Sequence, residues 1–188
     1  GLDSRIGNKF LSPGPGFGGS CFQKDILNLV YLCEHYNLQE VARYWEQVLT
    51  INNWQKDRIS SLVVNKLFGT VSNKKLAILG FAFKANTNDT RNSASIKISK
   101  DLIEEGAILS IYDPKVKKNQ IMNDLGINPL DLSEDEEKEI WTNSESLDEA
   151  IQDTHAIIIL TEWSEFKEIK WDKLFKNMAK PAWIFDTR

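Results

Sequence analysis

From Phe22 onward the apolar residues recur at steps of three and four. Phe22, Ile26, Leu29, Val30 and Cys33 fall on one face of a helix. "EHYNLQE" interrupts the pattern, with Asn37 as its C-terminal cap. A second helical run carries Val41, Tyr44, Trp45, Val48, Ile51, Ile59, Leu62, Val63 and Leu67. It spans residues 38 to 68, roughly 45 Å at 1.5 Å per residue. A helix that long bridges two domains or packs against its own copy. After "GTVSNKK" the grammar changes. "KLAILGFAF" and "AILSIYDP" read as buried strands on either side of a helix, "SASIKISKDLIEEG", which Gly106 closes. "SESLDEAIQDT" is a helix opened by a Ser146–Glu149 capping box, and "HAIIIL" and "AWIF" are two further strands. Strand–helix–strand alternation predicts an α/β fold with a mostly parallel sheet covered on both faces. The expected organisation is an active loop and helical segment over 1–70 and a sheet unit over 71–188.

Composition narrows the function classes. The chain has 188 residues, a net charge of −4 and no basic cluster of the kind that tracks a phosphate backbone, so no nucleic-acid partner is expected. No apolar run approaches the roughly 20 residues of a membrane span, which leaves a soluble cytoplasmic protein without a membrane partner as the expectation. Cys21 and Cys33 lack metal-ligand spacing, and no metal site is expected. The acidic run 131–139 reads as a solvated surface. The opening "GLDSRIGNKFLSPGPGFGG" is loop-like, as in the back portion of something longer.

The chemistry concentrates in "FGGSCFQKD", residues 17–25. Ser20 and Gln23 fit a capping box, with Ser20 as N-cap and Cys21 as the first helical residue. The positive end of a helix dipole favours thiolate over thiol, and the thiolate is the nucleophile. Asp25 lies one turn on along the same face, placed to hold a water or a catalytic proton. Gly18 and Gly19 let a ligand approach the backbone. Cys33 has no such neighbourhood and reads as core.

"GPGFGGSCFQKD" resembles the active-site segment of the UDP-glucose 6-dehydrogenases, a family of nucleotide-sugar dehydrogenases. The resemblance extends through "RIGNKFL", "LGFAFKANTNDTRNSAS", "IYDPKV", "TEW" and "FDTR". It implies a long helical dimerisation segment followed by a Rossmann-like, parallel-sheet UDP-binding domain, with the family's NAD-binding domain lying N-terminal to this portion. It also implies oxidation of UDP-glucose to UDP-glucuronate with NAD as cofactor, Cys21 forming a thiohemiacetal and then a thioester and Asp25 assisting proton transfer. The portion alone is expected to be inactive.

Site roles follow from the same resemblance. Arg5 would reach a UDP-sugar in the neighbouring subunit of a homodimer joined by the long helix. The loop from Phe10 to Gly16 would wrap the sugar and phosphates, through Ser12, Gly14, Gly16 and the backbone of Phe17. Phe83, Lys84 and Arg188 would bind the nucleotide sugar, and Cys21, Phe22 and Arg91 would face NAD. No G-x-G-x-x-G follows "KLAIL", which argues against a dinucleotide in this unit. Asp113 stands where a ribose-binding acid would, though "YDP" reads as easily as a turn. Another nucleotide sugar, or a non-catalytic UDP-binding dimerisation module, remain the alternatives.

Overall fold

The structure, a computed structural model, describes residues 2–7, 13–131 and 138–188; Phe10, Ser12 and most of the acidic run lie outside the described residues. Two helices come first. α1 (Phe22–His35) ends where Asn37 takes left-handed backbone, φ 59°, a conformation its short polar side chain tolerates. α2 (Gln39–Lys66) then runs for 28 residues beside α1. It starts one residue later and stops two earlier than the periodicity predicts. Cys33 is buried, as its place on the apolar stripe requires.

The remaining elements alternate as expected. β1 (Lys75–Leu79), α3 (Ala94–Glu104) and β2 (Ile108–Tyr112) are followed by α4 (Lys118–Leu125). A short antiparallel pair comes next, β3 (Leu130–Asp131) with β4 (Lys138–Glu139). Then come β5 (Trp141–Asn143), α5 (Leu147–Ile151) and β6 (Ala156–Ile159), and after them α6 (Ser164–Lys167), α7 (Trp171–Leu174) and β7 (Trp183–Asp186). The five-stranded sheet is parallel throughout, in the order β5-β2-β1-β6-β7. β1 and β6 are buried on both faces, which explains their uninterrupted Leu, Ile and Ala runs. The Ser146 hydroxyl accepts the Glu149 amide at 3.3 Å, while the Glu149 carboxylate reaches back to the Glu145 amide at 2.7 Å. The predicted capping box is therefore present, its return bond falling one residue earlier than usual.

Two features of this arrangement position the site. First, the chain leaves β1 toward β2 and leaves β6 toward β7. The neighbouring strands β1 and β6 thus flank a topological switch point, where α/β sheets open a crevice at their carboxyl ends. Second, α2 is not an appendage: Ile59, Val63 and Leu67 belong to the sheet's own core. α2 is fastened to α3 by the Ser60 hydroxyl on Asp101 (2.9 Å) and by Lys97 between Asp57 (2.9 Å) and Asp101 (2.6 Å). The segment before α1 is thereby held against the strand ends. Among the described residues no helix is long and apolar enough to cross a membrane.

A candidate active site at the sheet switch point

The turn bearing Cys21 is held from both sides. On the helical side Asn52 grips Phe17 twice, its Oδ1 accepting the Phe17 amide at 2.8 Å and its Nδ2 donating to the Phe17 carbonyl at 3.1 Å. Gln55 donates to the Gly14 carbonyl at 3.2 Å. On the sheet side the Gly19 amide donates to the Arg91 carbonyl at 2.7 Å, and the Asn92 side chain returns a bond to the Gly19 carbonyl at 3.3 Å. Gly19 adopts φ 86°, and a Cβ there would sit 3.0 Å from the Phe83 ring; at Gly18 it would meet the Asn92 carbonyl oxygen at 2.6 Å. The glycine pair is required by this close docking as well as by the turn.

The capping arrangement differs from the sequence expectation. Ser20 is not the N-cap. The helix starts at Phe22, Cys21 is its N-cap, and no side chain caps the terminus. The sharp turn at Gly19 directs the Ser20 hydroxyl to the Cys21 sulfur, 3.6 Å away, rather than to the amide of Gln23. The Cys21 carbonyl accepts the Asp25 amide at 2.8 Å. The shift leaves the thiol exposed at the N-terminus of a 14-residue helix, the positive end of its dipole. Asp25 is exposed one turn along.

The edge facing this turn is formed by the strand ends. After β1, Phe83 is half-buried under Gly19, and the Lys84 ammonium lies 5.4 Å from its ring centre. After β7 the Arg188 guanidinium turns inward. Its Nε donates to the Leu160 carbonyl at 3.0 Å and lies 3.2 Å from the Glu162 carboxylate, and its Nη1 lies under Gly14, 2.7 Å from where a Cβ would be. Burial holds the Arg188 pKa below the ordinary arginine value, with Glu162 opposing the shift. Arg91 is exposed and forked onto Asp89 at 2.7–3.2 Å. That pairing raises the Arg91 pKa, with the charges of Asp89 and Cys21 adding to it, and lowers that of Asp89.

The structure thus gathers Gly14, Gly16, Phe17, Cys21, Phe22, Asp25, Phe83, Lys84, Arg91 and Arg188 along one seam between the helices and the sheet. The Phe17 and Phe22 rings meet edge to face, centroids 4.6 Å apart, beside the cysteine. The Phe17 amide is taken by Asn52, so its ring is the part left to meet a ligand. Arg5 stands apart: exposed, it pairs with Asp3 at 2.6–3.0 Å. Asn52 was not foreseen. Its signal was available, since Asn52, Lys56 and Ser60 interrupt the apolar stripe of α2 with buried polar side chains. Lys56 packs its stem against Gly16, and burial depresses its pKa. Asp113 is no ribose ligand; its carboxylate is consumed inside the fold.

The chain resembles known proteins over its whole length. The profile of the UDP-glucose/GDP-mannose dehydrogenase family, UDP binding domain, matches residues 77–188, and that of the family's central domain matches residues 1–54. The UDP-glucose 6-dehydrogenase of Mus musculus is 55% identical over 188 residues, which are all of this chain and 38% of that protein. The Drosophila melanogaster enzyme of the same name is 52% identical over the whole chain and 40% of its own length. Among solved structures, a UDP-glucose dehydrogenase from Pyrobaculum islandicum superposes with TM-score 0.76 at 27% identity, covering 100% of this chain and 38% of that one. A UDP-D-ManNAc dehydrogenase from Pyrococcus horikoshii gives 0.68 at 26%, covering 96% and 37%. The chain therefore spans about two fifths of the length of these relatives.

Proposed function

The chain belongs to the UDP-glucose/GDP-mannose dehydrogenase family, and from that premise we propose that it is the portion of an NAD-dependent UDP-glucose 6-dehydrogenase that carries the nucleophile and the UDP-sugar edge. The observation that supports this most strongly is the seating of Gly19 on the Phe83 ring. It sets an exposed cysteine at a helix N-terminus beside the strand ends, which favours docking of a nucleotide sugar there.

In this reading the residues of 71–188 hold the substrate and those of 1–70 act on it. Lys84 and the free end of the Arg188 guanidinium neutralise the diphosphate, Arg188 already oriented by Leu160 and Glu162. Phe83 and Phe17 supply apolar walls, and the loop ending at Gly14 and Gly16 closes over the sugar, with Phe10 and Ser12 part of it. The Cys21 thiolate adds to the carbon of the sugar aldehyde, giving a thiohemiacetal. That adduct, once oxidised, is a thioester. Water attacks its carbonyl, releasing the carboxylate of UDP-glucuronate and restoring the thiolate. Asp25 takes the proton from that water. NAD, when bound, would supply the hydride acceptor for both oxidations, of the sugar's primary alcohol to the aldehyde and of the thiohemiacetal to the thioester. The chain offers it one wall that fits, an exposed Phe22 ring beside the thiol and the exposed Arg91 cation for its phosphates. Since no G-x-G-x-x-G follows a strand here, the spacing at Gly14–Gly19 lying in a loop ahead of α1, the chain on its own forms no NADH.

The same reading assigns the exposed apolar face of the helices. Tyr31, Tyr36, Tyr44, Ile51 and Trp54 are each at least 59% exposed, and a second copy covers them in a homodimer, bringing Arg5 to the neighbour's site. The protein acts in the cytoplasm. Isothermal titration of the chain with UDP-glucose, UDP and GDP-mannose tests the assignment. Binding of the two uridine ligands, lost in Lys84→Ala and absent for GDP-mannose, is the expected result. Equal binding of GDP-mannose moves the assignment to another nucleotide sugar, and no binding of any of the three refutes the UDP edge.

A further inference from the structure

Asp113 is 92% buried at the end of β2, with 8% of its surface exposed, and five N–H groups converge on its carboxylate. Oδ2 accepts the Phe81 amide at 2.7 Å, the Ala82 amide at 3.0 Å and the Trp163 indole at 3.1 Å. Oδ1 accepts the amides of Lys115 at 2.9 Å and Val116 at 3.0 Å. Three loops are joined by one side chain: those following β1, β2 and β6, all at the carboxyl edge of the sheet.

The position is informative. In dinucleotide-binding sheets an acid at the end of the second strand faces the ribose, while backbone amides after the first strand face the phosphates. Here the acid turns inward and takes those first-strand amides itself. The rest of the turn is engaged too: the Ser95 hydroxyl donates to the Gly80 carbonyl at 3.0 Å, the Thr161 hydroxyl to the Ala82 carbonyl at 2.6 Å, and the Phe83 amide to the Asp89 carbonyl at 3.0 Å. A turn closed in this way cannot receive a phosphate on its backbone, so recognition of the anion passes to side chains whose position depends on the turn.

We propose that Asp113 is a positioning residue of the nucleotide-sugar site, a carboxylate built in where a ligand's ribose and phosphate would otherwise organise the turn. It fixes Phe81 and Ala82, and through them Phe83 and Lys84; the Phe83 ring in turn underlies Gly19, two residues before the nucleophile. Asp113 therefore sets both the UDP edge and the pose of the Cys21 turn without touching either ligand or thiol. The proposal rests on the UDP-sugar reading for the first effect and is independent of it for the second.

The experiment compares Asp113→Asn, Trp163→Phe and Leu125→Ala in this chain, below the melting temperature of each. Asp113→Asn keeps the shape but sets an N–H or a weaker acceptor against donors. Trp163→Phe removes one of the five bonds. Leu125→Ala lowers stability from a buried site on α4 that makes none of them. Two readouts are taken, UDP affinity by titration and the rate of Cys21 alkylation by iodoacetamide. The expected loss of UDP affinity is about tenfold or more for Asp113→Asn and roughly two- to fivefold for Trp163→Phe. The alkylation rate shifts by about threefold or more in Asp113→Asn, and neither readout moves in Leu125→Ala. Parent-like affinity and alkylation in Asp113→Asn overturn the proposal, as does an equal loss in Leu125→Ala, which would mean stability alone. If Asp113→Asn does not fold, Trp163→Phe against Leu125→Ala decides by the same criteria. If the parent chain binds no UDP, the UDP reading fails separately and the alkylation rates alone decide the latch.

Discussion

Ile158 and Ile51 are the same residue in two different situations. Ile158, in the middle of β6, is wholly buried among Leu76, Ile78 and their neighbours, whereas Ile51, in the middle of α2, is 62% exposed. The difference extends to the regions around them. The sheet's central strands are buried under helices that include the end of α2, while the rest of the α1–α2 pair presents tyrosines, a tryptophan and isoleucine to the outside. One region buries its apolar side chains within the chain; the other leaves large ones exposed. The Cys21 turn lies where the two meet and takes bonds from each.

The largest expected effect breaks the comparison at that junction. In protein competent for turnover, Cys21→Ala lowers kcat by on the order of a thousandfold or more, since a lost nucleophile is not replaced by its neighbours. The melting temperature changes little because the thiol is exposed. Next comes the isoleucine pair itself. Ile158→Ala costs about 2–5 kcal/mol of folding stability in denaturant titration. Ile51→Ala stays within about 0.5 kcal/mol but weakens self-association measured by sedimentation equilibrium. A large folding cost at Ile51 would mean that the helical face is covered within the chain. Asn52→Ala, which strands the Phe17 amide and carbonyl, is expected to cost about 1–3 kcal/mol. It also speeds amide exchange at residues 16–18, where a change spread over the whole chain would argue against a local clamp.

The smallest effect is a gain. Lys56→Met keeps the buried stem and removes a charge that the site disfavours, and should stabilise the chain by about 1 kcal/mol at pH 7. The pH dependence follows from the direction of the shift. Burial lowers the folded-state pKa of Lys56, so charging it costs stability as pH falls from the free lysine value, about 10.4, through that lowered value. The advantage of the methionine variant is therefore full at neutral pH and fades as pH rises toward and past about 10.4. Thermal melts at pH 7 and at high pH check it. A constant difference would place the gain in packing.

Elements with a local signature were legible in the sequence. The stripe of α2, the buried runs of β1 and β6, the Ser146 cap and the core position of Cys33 all follow from spacing and residue type. β5 was missed because three residues, Trp141–Asn143, are too few to show a period. α4 was missed because its apolar positions are sparse among Lys118, Asn119 and Gln120. The candidate site was legible at Cys21 and its glycines, where the turn is local. The Ser20 cap was misassigned because the choice between Ser20 and Cys21 depends on Phe83 and Asn92 fixing the backbone from far along the chain. The Asn52 clamp and three of the five Asp113 bonds join residues tens of positions apart, so a polar break in the α2 stripe can mark Asn52 without naming its partner.

The penetration of α2 into the sheet also bears on how the chain can be divided. Residues 1–70 and 71–188 separate cleanly on paper, yet Ile59, Val63 and Leu67 fill the core beyond that line. A piece cut at residue 71 would begin with three apolar plugs missing and an open hollow beside Val71 and Leu76. The smallest portion able to stand alone starts upstream of Ile59, taking the last turns of the long helix with it. What is inherited as a unit here is the sheet together with the end of the helix that feeds it.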